Sequence, residues 1–444
     1  MLRLLYTALL RLLLPVVGLL LWWRGRRDPA LRVDLGERLG RGPARSGPQP
    51  IWLHAVSVGE VQAAAGLIAL LRARDPRRPV LLTMATATGR QRAEALYAAA
   101  IGATGEGVAP LALRYAPFDL PGAAARFLET ERPCAAIFLE TELWPNLLAA
   151  CARRGLPVAL VSARLSERSL RRYRSLARGL MRRTLRGLAC IAAQSEADAA
   201  RFIALGAEAA RVAVAGNVKF DFPLPVDLPA RSAALRQRWL GERRVWVAGS
   251  THAGEEQQLL AAHRRLLSVW RGAASQGAAP LLVLVPRHPE RFAQVAQWLT
   301  REGVPFLRRS DGESRLAADT QVLLVDTLGE LLAFYGCAEI CFVGGTLVPI
   351  GGHNLLEPAA LGLPVLSGPH HFNSPDAARL LVDCGALEIS HDADGLAAAL
   401  LRLFTDSAEA VRRGAAGRDR VVANRGAAAR SLALLGGVLP PLLD

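Results

Sequence analysis

Hydrophobic residues along this chain fall into short continuous runs that alternate with longer amphipathic stretches. The runs at 51–55, 80–84, 135–139, 158–161, 190–193 and 212–215 read as strands. Between them lie alanine- and arginine-rich stretches of helix length, such as 59–72 and 90–100. That alternation is the signature of parallel α/β units. It breaks at 221–229, where DFPLPVDLP carries three prolines and reads as an extended linker. It then resumes, with strands expected at 245–248, 281–285, 322–325, 340–343 and 365–366. The pattern predicts two consecutive α/β domains of similar size, 28–220 and 243–444, joined by a linker at 221–242. A polar Gly/Pro/Arg-rich stretch at 40–50 leads into the first strand. No short-period repeat is visible.

Residues 1–27 stand apart. Between 4 and 23 there is one charge, Arg11, and one helix breaker, Pro15. A helix of that length covers about 30 Å, the thickness of a bilayer core. Trp22 and Trp23 occupy the place of interfacial aromatics, and Arg24, Arg26 and Arg27 follow at once. No small-residue cleavage site follows the apolar run, which argues against a removed signal. Arg11 near the centre of a full span would cost about 2.5–3.5 kcal/mol, so an interfacial anchor competes with a spanning one. Either places the body on the cytoplasmic side; a buried helix of a soluble protein is the plainer alternative.

Charge narrows the partners. The chain has 54 basic against 39 acidic residues, a net +15, which suits a polyanion: nucleic acid, anionic headgroups or a phosphorylated substrate. No helix-turn-helix, zinc-finger or single-strand-binding signature accompanies it, so nucleic acid is not expected. Lys219 is the only lysine, every other basic residue being arginine. A compact ammonium kept there points to a site that a guanidinium cannot serve, against chance survival. Cys134, Cys151, Cys190, Cys337, Cys341 and Cys384 form no C-x-x-C pair and read as buried thiols in a reducing compartment.

The candidate chemistry lies at strand ends. His54-Ala-Val-Ser57-Val-Gly59-Glu60 closes the first strand and opens its helix, at the edge where open α/β sheets bind ligands. Gly59 would allow a tight turn there, and Glu60 would lie in the first helical turn. An acidic residue near a helix N-terminus is also favoured by the dipole alone, by about 0.3–1 kcal/mol. Glu140-Thr141-Glu142-Leu-Trp144-Pro145-Asn146 follows another strand; two carboxylates beside a core are costly, while Pro145 is routine at an early helical position. Ser162-Ala-Arg164-Leu-Ser166 and Gly216-Asn217-Val-Lys219-Phe-Asp221 close two more strands. In the second half, Gly249-Ser250-Thr251-His252-Ala-Gly254-Glu255-Glu256 would expose backbone N–H groups to an anion. Pro286-Arg287-His288-Pro289 brings a guanidinium and an imidazole to the sheet edge. The most specific stretch is GGTLVPIGGHNLLEP at 344–358. Its Gly344-Gly345 and Gly351-Gly352 pairs would let the backbone approach a phosphate, and a helix with free N–H groups would follow. Glu357 there can accept two ribose hydroxyls.

Taken in order, HAVSVGE, ETELWPN, SARLSERS, NVKFD, GSTHAGEE, PRHPER and GGTLVPIGGHNLLEPAALGLPV resemble the motif series of bacterial 3-deoxy-D-manno-octulosonic acid (Kdo) transferases, from about residue 51 to 373. The resemblance implies a GT-B fold: two Rossmann-like domains with a cleft between them, plus an N-terminal membrane-anchoring helix. It implies the donor CMP-Kdo, a lipid A precursor as acceptor, and a place on the cytoplasmic face of the cell inner membrane. Glu60 would be the general base. Glu140, Glu142 and Lys219 would stabilise the transition state. Substrate contacts would fall on Ser57, Gly59, Arg287, His288, Leu328, Gly329, Glu330, Gly351, Gly352, Asn354, Leu355, Leu356 and Glu357.

Such chemistry is physically coherent. A sugar hydroxyl is a poor nucleophile unless a base takes its proton. Charge then builds on the departing phosphate while the anomeric carbon becomes oxocarbenium-like. A single displacement with inversion is expected. One phosphate leaves rather than a pyrophosphate, so neither metal nor cofactor is expected; the one D-x-D, Asp392-Ala-Asp394, reads as helix capping. Two alternatives remain from the residues alone: a GT-B enzyme using a UDP-sugar on a lipid carrier, and a non-enzymatic lipid- or polyanion-binding protein.

Overall fold

The computed structural model describes residues 2–24, 26, 34–101, 109–222, 224–272, 278–312 and 316–440. The chain forms two compact units: Met1–Pro223 together with Asn424–Asp444, and Leu224–Ala423. The first contains β1 (Ile51–His54), β2 (Val80–Met84), β3 (Leu111–Tyr115), β4 (Ala135–Leu139), β5 (Val158–Ala163), β6 (Cys190–Ala193) and β7 (Val212–Val214). They form one sheet in the order β3-β2-β1-β4-β5-β6-β7, every pairing parallel. Ile51 is in register with Val80 on one side and Ala135 on the other. Strands β1, β2, β4 and β5 are buried at every residue, as parallel strands covered by helices on both faces must be. The order reverses at β1, which puts the ligand-binding crevice of this unit at the carboxyl ends of β1 and β4.

The second unit has its own sheet: β8 (Val245–Thr251), β9 (Leu281–Pro286), β10 (Phe306–Arg308), β11 (Val322–Leu324), β12 (Ile340–Val343), β13 (Val365–Ser367) and β14 (Leu387–Ile389). Its order is β10-β11-β9-β8-β12-β13-β14, again all parallel, with the reversal between β8 and β12. Helix Ala393–Thr405 starts at Asp392, whose side chain accepts the N–H of Gly395 at 2.8 Å, the capping role expected of that D-x-D. Asp394 pairs with Arg265 at 2.9 Å.

Two sequence boundaries differ. The linker assigned to 221–242 is largely helical, Leu228–Leu235 continuing into a wide turn at Arg236–Leu240, and it buries Leu228, Leu235, Trp239 and Leu240. Pro229 sits in the first turn of that helix, where its missing N–H costs nothing, so it marks a helix start rather than a break. The tail 424–444, assigned to the second domain, belongs to the first unit. Ala427, Ala428, Leu435, Val438 and Leu439 enter the first unit's core. The Asp221 carboxylate accepts the N–H groups of Gly426 and Ala428 at 2.6 and 2.5 Å, and Arg430 donates to the Ala215 carbonyl at 2.8 Å.

The N-terminal helix Leu2–Arg24 is long and apolar enough to cross a membrane by length and composition, and little of it is buried. Leu4 and Leu12 are 71% and 75% exposed. Its inner face is tied to the first unit: the Tyr6 hydroxyl donates to Asp119 at 2.8 Å and the Thr7 hydroxyl to Asn146 at 3.0 Å. Arg27, the last residue of the expected anchor, lies outside the described residues.

Candidate active site

At the carboxyl end of β1, Ser57 caps helix Val58–Arg74 and accepts the Glu60 N–H at 3.4 Å. The Glu60 carboxylate reaches back in turn: Oε1 accepts the Ser57 hydroxyl and Oε2 the Val56 N–H, both at 2.8 Å. These bonds favour the charged form. Burial outweighs them, since Glu60 is only 7% exposed, and the negative fields of Glu142 and Glu140 add to it. The carboxyl is pushed up to about 7. A carboxylate that can take a proton near neutral pH is the property of a general base. Gly59 lies within the helix, and a Cβ there would meet nothing nearer than Ser57 Oγ at 4.0 Å; the expected tight turn does not require it.

The carboxyl end of β4 supplies the two other acids. Glu140 has left-handed backbone, φ 57°, an uncommon conformation for a residue with a side chain. Its carboxylate lies 2.5 Å from Lys219 Nζ. Glu142 accepts the Trp144 indole N–H at 2.6 Å, and burial pushes its carboxyl up. Lys219 sits in a short turn capped by Asn217, whose side chain accepts the Lys219 N–H at 2.9 Å. Asn217 is fixed by Ser162 at the end of β5, itself at φ 52°, and by Gln194 at the end of β6. The ends of β1, β4 and β7 therefore carry Glu60, Glu140, Glu142 and Lys219, with Ser57, to one sheet edge. His54 is fully buried. Its Nδ1 is 2.8 Å from Thr83 Oγ1, which also accepts the Trp52 indole N–H, and burial takes it down to about 3, so the imidazole is neutral.

In the second unit the expected donor residues lie on the loops after β9, β11 and β12. His288 follows β9, its ring 5.2 Å from that of His252, which in turn stacks parallel to His353 with Nε2 atoms 2.8 Å apart. Leu328-Gly329-Glu330 forms the turn after β11; Leu328 is 73% exposed, and Glu330 is held by Arg309 at 2.9 Å and by the Thr327 hydroxyl. Gly351 and Gly352 have φ of 101° and 79°, and a Cβ on Gly351 would meet the Phe372 ring at 2.4 Å, so glycine is required there. Asn354 caps the N–H of Leu356 at 3.0 Å and donates to Glu357 at 3.1 Å, and the helix that follows, Leu356–Ala360, is short. Its first N–H is thus engaged, whereas the sequence predicts free N–H groups there.

A larger departure concerns the glycine-rich loop. Glu255, fully buried, accepts four backbone N–H groups: His252 and Gly345 on Oε2, Thr346 and Leu347 on Oε1, at 2.7–3.0 Å. The donors expected to meet a phosphate are filled by the protein's own carboxylate. Gly352 and His353 N–H groups go to the Gly345 and Gly344 carbonyls. Arg291 is likewise internal, bidentate to buried Glu256 at 2.7 and 3.1 Å. Thr83, Gln194 and the two-histidine contact had no signal in local pattern, because each meets its partner from a strand or loop distant in sequence. Among the described residues no cluster of His, Cys, Asp and Glu has the geometry of a metal site.

Residues 33–222 match the family described as 3-Deoxy-D-manno-octulosonic-acid transferase (kdotransferase). Along almost its whole length the chain is 38% identical to the 3-deoxy-D-manno-octulosonic acid transferase of Haemophilus influenzae, covering 98% of each chain. The chain belongs to the Kdo transferase family. A second relative, from Bordetella pertussis, is 40% identical over 96% of this chain and 97% of its own. The transferase is thus a glycosyltransferase by family. Its fold is also that of the UDP-GlcNAc 2-epimerase from Neisseria meningitidis solved with UDP-GlcNAc, with TM-score 0.55 at 13% identity, covering 87% of this chain and 99% of that one. That likeness concerns the fold, two Rossmann-like units of the GT-B class.

Proposed function

We propose that this transferase moves Kdo from CMP-Kdo to the lipid A precursor lipid IVA, with inversion at the anomeric carbon. The observation that carries the reading is Glu60: a nearly buried carboxyl, held by two hydrogen bonds and pushed up to about 7 beside two further acids. Glu60 takes the proton of the acceptor hydroxyl as its oxygen attacks the anomeric carbon. The bond from that carbon to the phosphate oxygen breaks, and its electron pair leaves with CMP. The Lys219 ammonium, steadied by Glu140, and Glu142 serve the charge that develops in the transition state. Arg287, His288, Leu328, Gly329, Glu330, Gly351, Gly352, Asn354, Leu355, Leu356 and Glu357 hold the nucleotide, with Arg287 and His288 taking the phosphate charge that the filled glycine loop does not. Ser57 and Gly59 border the base. No metal is assigned to the reaction.

The acceptor is an amphiphile, and the same reading places the enzyme on the cytoplasmic face of the inner membrane. Outward leucines of helix Leu2–Arg24 would enter the lipid, and the net charge of +15 would favour anionic headgroups. Vesicle binding that did not weaken as salt rises would sink the electrostatic part. Mass spectrometry of the purified enzyme incubated with CMP-Kdo and lipid IVA tests the whole reading. An acceptor heavier by one or more Kdo residues is expected, whereas product from a UDP-sugar alone would replace it.

A further inference from the structure

The second unit contains an anion-binding nest that is already occupied. Loop 344–347 turns its N–H groups of Gly345, Thr346 and Leu347 toward one point, and the Glu255 carboxylate sits there with His252 N–H as its fourth donor. The loop approaches the β8 end so closely that a Cβ on Gly344 would lie 2.3 Å from the Ser250 carbonyl oxygen, and the Gly344 N–H donates to Gly249 at 2.8 Å. At the far end of the same loop the His353 side chain meets that of His252, Nε2 to Nε2 at 2.8 Å with rings parallel to within 3°. Two ring nitrogens at that distance need one N–H and one lone pair between them, so at most one of the imidazoles can be charged. The surroundings hold both neutral near pH 7: burial first, then His288, Arg291 and Arg287, bring His252 down to about 4. Burial, Arg287, His252 and His288 bring His353 down to about 3.

We propose that Glu255 and the His252–His353 pair are positioning residues that staple both ends of the glycine-rich loop to the turn after β8, presetting the nucleotide-binding shape of Asn354–Glu357. The proposal rests on reading this unit as the donor site. It accounts for two features that reading leaves over, a buried carboxylate and a half-buried imidazole pair with no part in the chemistry. It also assigns the loop's N–H groups to holding the loop rather than the phosphate.

Hydrogen exchange of the ligand-free full chain and CMP titration calorimetry test it together. In Glu255→Gln the amides of Gly345, Thr346 and Leu347 should exchange at least about tenfold faster than in the parent protein. His252→Ala and His353→Ala should each weaken CMP binding about tenfold, and the double variant no further, because the pair acts as one unit. His353→Gln, whose amide can still meet His252, should recover most of the affinity. Losses that multiply in the double variant would mean that each imidazole touches the nucleotide on its own and would overturn the staple. Unchanged exchange in Glu255→Gln would do the same. Accelerated exchange in a protein whose parent form does not bind CMP leaves the staple standing and removes the donor reading instead.

Discussion

Lys219 Nζ lies 2.5 Å from Glu140 Oε1, joining the end of β4 to the short turn after β7. The pairing makes physical sense of the chain's one lysine. Glu140 stands in a left-handed conformation beside two other acids, and a compact ammonium neutralises it without filling the space as a planar guanidinium would. Lys219→Ala should lower turnover by about 10²–10³-fold with CMP affinity unchanged, the loss typical of removing one transition-state stabiliser. Lys219→Arg should rescue little of it. Near-parental turnover in Lys219→Arg would show that any cation suffices.

Glu60 ties activity and stability to pH in opposite directions. As a base it must be ionised, so transfer should rise as pH passes through about 7. In stability the sign is reversed. Its carboxyl stands near 7 in the folded protein against an ordinary value of 4.5, so folding is favoured while the group is protonated. That contribution is complete below pH 4.5 and is lost as pH rises through about 7. Glu60→Gln should therefore abolish transfer, keep CMP binding, and at pH 8 be the more stable protein by up to about 3 kcal/mol. Urea unfolding of both proteins at pH 4.5 and pH 8 reads this directly; equal stability at both values would remove the raised carboxyl.

Glu142 acts on the same titration from a distance. Its charge follows burial as the next cause holding Glu60 up, ahead of Glu140. Glu142→Gln should thus move the acid limb of the pH–rate profile to lower pH, whatever happens to the plateau rate. A limb that stays in place would separate Glu142 from the base electrostatically.

How much of this was legible beforehand follows from where each residue's partners lie. Strands β1, β2, β4, β6 and β12 were plain because continuous apolar runs are what buried parallel strands need. Strand β3 escaped because it is an edge strand whose Arg114 turns outward to Glu37 and Glu131, breaking the apolar run. Strands β10 and β14 are the two edges of the second sheet and are only partly buried, so neither carries a continuous apolar run. The place of Glu60 in the first turn of its helix was readable because a strand end followed by a helix start is a local pattern. The burial that raises Glu60 was not, because it comes from the packing of a whole sheet edge. The glycine loop misled for the same reason: its sequence advertises free N–H groups, and only the fold brings Glu255 to fill them.

Asn146 illustrates a motif residue whose bonds point away from the acids. Its Oδ1 accepts the Thr7 hydroxyl and its Nδ2 donates to the Asp119 carbonyl at 2.8 Å, while Asp119 takes the N–H groups of Asn146 and Leu147 and the Tyr6 hydroxyl. The N-terminal helix is thereby fastened to helix Pro145–Arg153, which follows the loop of Glu140 and Glu142. Asn146→Ala should destabilise the protein by about 1–3 kcal/mol and speed amide exchange in the first turns of helix Leu2–Arg24. Unaltered exchange there would mean that the helix holds its place without this fastening.

The returning tail gives the last test. Asp221 accepts two N–H groups at the start of helix Ala427–Leu434, and the close approach leaves no room for a side chain at residue 66, where a Cβ would lie 2.7 Å from the Asp221 carbonyl oxygen. Ala427, Ala428 and Leu435 are buried against strands and helices of the first unit. Asp221→Ala orphans two donors and should cost about 1–3 kcal/mol. Ending the chain after residue 423 removes those donors and the apolar cover together, exposing core that water would otherwise never reach. Such a chain should lose the cooperative unfolding transition of the first unit, followed by calorimetry, and retain that of the second. If both transitions survived the truncation, the tail would be an ornament on the first unit rather than part of its core.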